Sequence, residues 1–270
     1  MNENVRTVAP ASDVAREAIV VRRLAKRYGS AADAVDALHN IDFTVREGEF
    51  MAVVGPSGCG KSTLLKILAG LMPASGGEAL LNGAPIAGPR RDIGVVFQSP
   101  VLFPWRSVLG NVLLPVDVQR LGRERMTARA LDLIALVGLS GFERRFPWEL
   151  SGGMQQRVAL VRALIHDPAL LLMDEPFGAL DALTREAMNV ELQRIWLERR
   201  KTVVFITHST AEAVFLADRV LVMTPRPGRI ADLLAIDFAR PRSIDIMNTD
   251  AFGTHVRRIR AALNAGGGIE

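Results

Sequence analysis

Gly55-Pro56-Ser57-Gly58-Cys59-Gly60-Lys61-Ser62-Thr63 follows the pattern G-x-x-x-x-G-K-[ST] of a phosphate-binding loop. Each residue type has a chemical reason. Glycines let successive backbone N–H groups curl inward with no Cβ in the way, and curled amides make a concave anion site. The helix expected next, about residues 62–71, aims its positive end at the same point. Lys61 adds a mobile charge for terminal phosphates, and Ser62 offers a hydroxyl to Mg²⁺. The context fits. Phe50-Met51-Ala52-Val53-Val54 reads as a buried strand, and Leu64, Leu65, Ile67 and Leu68 give the helix an apolar side. Two readings of Cys59 stand: a small filler, or a thiol whose pKa is lowered by Lys61 and the helix N-terminus.

Working outward, the N-terminal residues 1–17 read as a disordered leader. A strand begins at Ile19-Val20-Val21 and runs toward Tyr28. The basic residues Arg22, Arg23, Lys26 and Arg27 read as a solvated strand edge. Ile41, Phe43 and Val45 alternate with Asp42, Thr44 and Arg46 as in a half-buried strand. Beyond the loop, Pro73 and Gly76-Gly77 are expected to stop the helix. Leu80-Leu81 with Asn82-Gly83 predicts a hairpin, and residues 93–97 another buried strand. From about 100 to 165 the periodicity turns helical, ending in a helix that starts at Ser151-Gly152-Gly153 and carries Met154, Val158, Val161 and Ile165 on one face. The apolar runs Leu170–Met173 and Val203–Ile206 suit parallel strands covered on both faces. Between them a helix turns Met188, Leu192, Ile195 and Trp196 inward. Val220–Met223 and Arg229-Ile230 suggest the last strands, residues 252–263 a closing helix, and 266–270 a loose tail.

Composition bounds the class. The chain has 270 residues, 49% hydrophobic and 23% charged, which is an ordinary globular composition. A formal charge of +4 gives no reason to expect nucleic acid as a partner, and one cysteine excludes an intrachain disulfide. The N-terminus has no apolar secretory core. No uncharged apolar run reaches the roughly 18 residues of a membrane helix. The expectation is a cytoplasmic protein whose membrane work, if any, goes through a partner.

Asp174 and Glu175 end an apolar strand, where α/β folds bind ligands. Asp174 can hold Mg²⁺ through a water, and Glu175 is placed to polarise an attacking water. Leu150-Ser151-Gly152-Gly153-Met154-Gln155-Gln156-Arg157 combines a helix N-cap with glycines that let a phosphate approach free N–H groups. With this octapeptide the chain resembles the ATP-binding subunits of ABC transporters, whose signature reads Leu-Ser-Gly-Gly-x-x-x-Arg. The resemblance spans about residues 19–235, with the motifs in the family's order. It implies an ABC-type ATPase: a phosphate-loop NTPase core with an antiparallel β subdomain and a helical subdomain, together one domain over 18–265.

The resemblance also implies roles. Tyr28 would stack on adenine. The loop residues Gly55, Pro56, Ser57, Gly58, Cys59, Gly60, Lys61, Ser62 and Thr63 would hold the phosphates of ATP. Gln98 would reach Mg²⁺, beside Ser62 and Asp174, and the attacking water. His208 would touch the γ-phosphate, and Glu175 would act as the base. Ser151, Gly152, Gly153 and Gln155 would serve nucleotide bound by a second copy, and Asp181 would speak across that dimer. Asp181 also reads as a helix cap. Ser209 stands where the family often has Asp, and Ser209-Thr210-Ala211-Glu212 still forms a capping box. Phe103, Pro104, Trp105 and Val108 would dock a permease helix, although Trp105 also reads as plain core. Residues 102–105, 174–185 and 225–230 resemble the nitrate, sulfonate and taurine importer branch. That branch implies separate permease subunits, a periplasmic or extracellular solute-binding protein, and a peripheral place on the cytoplasmic face of the cell membrane. An exporter ATPase and a soluble ABC ATPase of DNA repair or translation are the alternatives. The first has a fused membrane domain, and the second a coiled-coil insert or paired ATPase domains; this chain has none of these.

Overall fold

The computed structural model describes residues 16–29, 33–178 and 180–265. Strands β1 (Glu17–Tyr28) and β2 (Val35–Arg46) pair antiparallel, burying Ile41, Phe43 and Val45 on the inner face. β3 (Phe50–Val54) then enters a second sheet and feeds helix α1 (Lys61–Leu68). β4 (Gly76–Leu81) and β5 (Ala84–Pro85) return to the first sheet. Asn82 and Gly83 both take positive φ, 51° and 77°, as a tight hairpin turn requires.

β6 (Ile93–Val96) rejoins the second sheet. Then come α2 (Val108–Val112), α3 (Leu114–Gln119), α4 (Arg123–Leu136) and α5 (Gly152–Leu164). β7 (Leu170–Asp174), α6 (Ala182–Arg199), β8 (Thr202–Ile206), α7 (Thr210–Leu216), β9 (Arg219–Met223), β10 (Ile230–Ala235) and α8 (Asp250–Ala265) complete the order. The first sheet is four-stranded, β2-β1-β4-β5, and the second six-stranded, β10-β9-β3-β8-β7-β6. Neighbours in the second sheet run parallel except β10, which pairs antiparallel with β9 at the edge.

Side chains alternate across a strand, so the inner strands feed two cores. Phe50, Ala52 and Val54 of β3 join the core under α5, α6, α7 and α8. Met51 and Val53 join the core formed with α1 and the antiparallel sheet. β7 divides likewise, with Leu171 and Met173 on one face and Leu170 and Leu172 on the other. The carboxyl ends of β3, β6, β7 and β8 therefore meet at one rim between the two layers.

Several expectations need correction. α1 stops at Leu68, not near Leu71. Gly70 takes φ +70°, its N–H donates to Ile67 O at 2.9 Å, and Leu71 N–H donates to Lys66 O at 2.9 Å. This pair of bonds is the left-handed glycine stop. Gly76 and Gly77 instead open β4, where a Cβ on Gly77 would lie 2.2 Å from Arg23 O. The basic run on β1 is solvated but is no edge, because β1 lies between β2 and β4. Glu17, counted with the leader, begins β1; residues 1–15 and the 266–270 tail lie outside the described residues. Among the described residues no helix is long and apolar enough to cross a membrane.

Candidate active site

β3 ends against the loop, and the loop closes on itself. Gly58 and Gly60 take φ of +74° and +105°. A Cβ on Gly60 would stand 2.7 Å from the Leu38 side chain and 2.8 Å from Ala37 O, so the close approach to β2 requires glycine there. The first turn of α1 carries no acidic residue, which leaves its N-terminal amides facing a cleft of about 380 Å³. Lys61 is 5% exposed; its Nζ donates to Gly55 O at 2.8 Å and Pro56 O at 3.0 Å.

Across the cleft stand the ends of β7 and β8. Ser62 Oγ donates to Asp174 Oδ1 at 3.2 Å. Glu175 holds a left-handed φ of +46°, rare for a residue with a side chain; its N–H donates to Ile206 O at 3.0 Å. That backbone turns the carboxylate between two partners. His208 Nε2 lies 2.6 Å from Glu175 Oε1, and Gln98 Nε2 lies 3.4 Å from Oε2. Ser62, Asp174 and Gln98 are oxygen-bearing groups of the kind a hard cation takes.

Tyr28 closes the other end of the cleft. It is 38% exposed, with its hydroxyl 3.2 Å from Thr63 Oγ1 and the Lys26 ammonium 5.3 Å from the ring centroid. Sequence reasoning missed Arg226. The turn between β9 and β10 is tied to β2 by His39 N–H to Gly228 O at 2.9 Å and Gly228 N–H to Ala37 O at 3.0 Å. A Cβ on Gly228 would lie 2.0 Å from Cys59 O. The turn thus straps the phosphate loop, and Arg226 donates to Gly58 O at 3.4 Å while lining the cleft. The only signal was an arginine in a Pro-Arg-Pro-Gly run, and nothing in its spacing points to residue 58.

Cys59 is 1% exposed, and burial pushes its thiol pKa up despite the opposing charge of Lys61. The lowered-pKa reading is therefore wrong, and Cys59 is packing. The capping box is also altered. Ser209 Oγ accepts from Glu212 N–H at 3.2 Å, but the Glu212 carboxylate does not reach back to Ser209 N–H. That N–H donates to Thr207 Oγ1 at 3.0 Å, and the Thr207 hydroxyl donates to Glu212 Oε2.

Ser151, Gly152, Gly153 and Gln155 do not line this cleft. Ser151 caps α5, its Oγ accepting from Met154 N–H at 3.3 Å, and a Cβ on Gly152 would meet nothing within 4 Å. Gln155 turns away, donating to Pro147 O at 2.9 Å. Asp181 caps α6: it accepts from Thr184 Oγ1 at 2.6 Å and Thr184 N–H at 3.0 Å, bonds that hold its pKa below the ordinary carboxylate range. Trp105 is not core; it is 70% exposed and packs on Phe103 with ring centroids 5.2 Å apart. Val108, expected beside it, is buried under α5 instead.

Comparison with known proteins adds the following. The family described as ABC transporter matches residues 38–178. An uncharacterized ABC transporter ATP-binding protein of Methanocaldococcus jannaschii is 50% identical over 222 residues, covering 82% of this chain and 83% of that one. A taurine import ATP-binding protein of Burkholderia pseudomallei is 51% identical over 213 residues, covering 79% and 82%. Among solved structures, a dimeric ATP-binding cassette in a post-hydrolysis state bound to ADP and Pi is similar with a TM-score of 0.70 and 31% identity, covering 82% of this chain and all of that one.

Proposed function

Because this chain belongs to the ABC transporter family as an ATP-binding subunit, we propose that it hydrolyses ATP with Glu175 as base, driving import through a separate permease. The observation that carries the reading is the meeting of Lys61, Ser62, Asp174, Glu175 and His208 at the carboxyl rim of one sheet.

The loop amides and the α1 N-terminus take the negative charge of the phosphates. Lys61, released from its two carbonyl partners, follows the terminal phosphates. Ser62, Asp174 and Gln98 would hold Mg²⁺, and the ion would supply positive charge to offset that on the phosphate oxygens. Glu175 accepts the proton of the attacking water, and His208 orients that carboxylate while facing the γ-phosphate. Tyr28 stacks on the base. Arg226 adds a cation at the rim, next to Gly58. Most of the rate comes from positioning and charge stabilisation, as in phosphoryl transfer generally.

Ser151 and Gly153 lie away from the cleft, which supports a head-to-tail dimer in which each copy completes the other's pocket. The dimeric cassettes of similar fold support the same arrangement. The exposed Pro104 and Trp105, backed by the half-buried Phe103, dock the permease on the cytoplasmic face of the membrane. Relatives named for taurine import support a small organic sulfonate or similar anion as the solute, delivered by a separate binding protein. Replacing Glu175 with Gln tests the chemistry: a general base contributes roughly 10²–10⁴-fold. Turnover should fall by that order while ATP binding persists. Wild-type turnover in the variant would remove Glu175 from the role.

A further inference from the structure

Behind Glu175 lies a second carboxylate that the mechanism above does not use. Glu212, in the first turn of α7, is 6% exposed. It lines a cleft of about 250 Å³ together with Gln98, Glu175, Arg185, Thr207 and His208. One oxygen accepts the Thr207 hydroxyl. The other stands 3.5 Å from Arg185 Nε. Thr207 Oγ1 in turn accepts from Ser209 N–H at 3.0 Å, so both backbone neighbours of His208 are fixed by this chain of bonds. Arg185 also donates through Nη2 to Leu180 O at 2.9 Å. Leu180 precedes Asp181, the cap of α6. The network therefore runs from the loop before α6, through the half-buried Arg185 and the buried Glu212, to the turn that presents His208 to Glu175.

A helix cap alone does not need this arrangement. Ser209 Oγ already receives the α7 amide. A solvated glutamate in the first turn would favour the helix dipole without burial. Burying a carboxylate is costly unless its oxygens have partners; here one oxygen accepts the Thr207 hydroxyl, just past β8, and the other faces the Arg185 guanidinium on α6.

We propose that Glu212 is a positioning residue for ATP hydrolysis. Through the Thr207 hydroxyl it holds His208 in line with Glu175, and through Arg185 it makes that alignment depend on the Leu180–Asp181 loop. The inference rests on the reading of Glu175 and His208 as the hydrolytic pair.

The test uses the full chain and measures kcat, ATP affinity at equilibrium and the thermal midpoint for each variant. Thr207→Val, which removes only the hydroxyl, should lower kcat about tenfold, equivalent to about 1.4 kcal/mol of barrier. ATP affinity should stay within about twofold. Thr207→Ser, which restores the hydroxyl, should recover most of kcat. Glu212→Gln should fall in kcat in the same direction, and the double variant should be no slower than the worse single, because the two groups act as one unit. Arg185→Lys cannot hold Leu180 and Glu212 together and should also lose kcat. Unchanged kcat in Thr207→Val and Glu212→Gln would overturn the proposal. So would a parallel loss of kcat, ATP affinity and thermal midpoint that Thr207→Ser fails to rescue, since that pattern is a loss of fold. Glu175→Gln run alongside separates the two levels. If it is inactive while Thr207→Val is normal, only the positioning role falls; if it turns over normally, the hydrolytic pair falls and the positioning role with it.

Discussion

Cys59 shows how burial outweighs a neighbouring charge. Its Sγ lies 3.9 Å from Lys61 Nζ, yet desolvation leaves the thiol less acidic than usual. Alkylating reagents should therefore label it slowly in the folded protein, equally with and without ATP, and rapidly once denaturant exposes it; mass spectrometry after timed labelling measures this. Lys61→Ala removes a charged donor, and hydrogen bonds to charged groups are worth about 1.5–3 kcal/mol. Nucleotide affinity should drop about ten- to a hundredfold, as read by equilibrium titration. The stacking proposed for Tyr28 does not read base edges, so ATP and GTP should bind within about tenfold of each other. At this scale the sequence could be read where chemistry dictates residue types at fixed spacing, as with Lys61, Ser62 and Asp174, which do come together. Arg226 and Glu212 were beyond it. Their closeness to Gly58 and to Glu175 arises from how the β9–β10 turn and the α7 start pack on other elements, and no local pattern encodes that.

Among elements, the unbroken apolar runs identified the inner strands because only a strand covered on both faces tolerates them. Where reading failed, the missing information was tertiary. The basic run on β1 looked like an edge, but strand order is decided by β4 returning to pair with it. The α1 stop was assigned to the conspicuous Pro73 and paired glycines, while the single Gly70 carried the left-handed turn. Gly70→Ala should lower stability by well over about 1 kcal/mol, because a Cβ there would lie 2.0 Å from Gly88 O as well as strain φ; urea unfolding checks this. The short helices between β6 and β7 depend on a charge cluster. Asp117 is held below the ordinary carboxylate range first by the Arg123 hydrogen bond and then by Arg106. A carboxylate lowered on folding stabilises above its unfolded pKa of about 3.9 and loses that contribution as pH falls toward its folded value. Asp117→Asn should therefore be less stable than wild type at pH 7, and the gap in urea midpoint should close below about pH 4.

At the scale of the whole molecule, the residues proposed for the pocket do not all meet within one copy. The phosphate loop lines the cleft, and Ser151, Gly152 and Gly153 do not. Trp105, 70% exposed, lines neither the phosphate cleft nor the cleft behind Glu175. Trp105→Ala should leave ATP hydrolysis by the isolated subunit within about twofold, since a surface substitution away from the site costs little, while transport in reconstituted vesicles with the permease falls sharply.

The divided placement of loop and signature turn has a genetic consequence. In the head-to-tail dimer proposed above, a mixed pair of one Lys61→Ala copy and one Ser151→Arg copy puts both lesions in the same pocket, and the opposite pocket keeps an intact loop and an intact turn. Two inactive preparations, combined, should regain part of the lost turnover by complementation. The same two lesions on one chain, paired with wild type, should spoil both pockets at once.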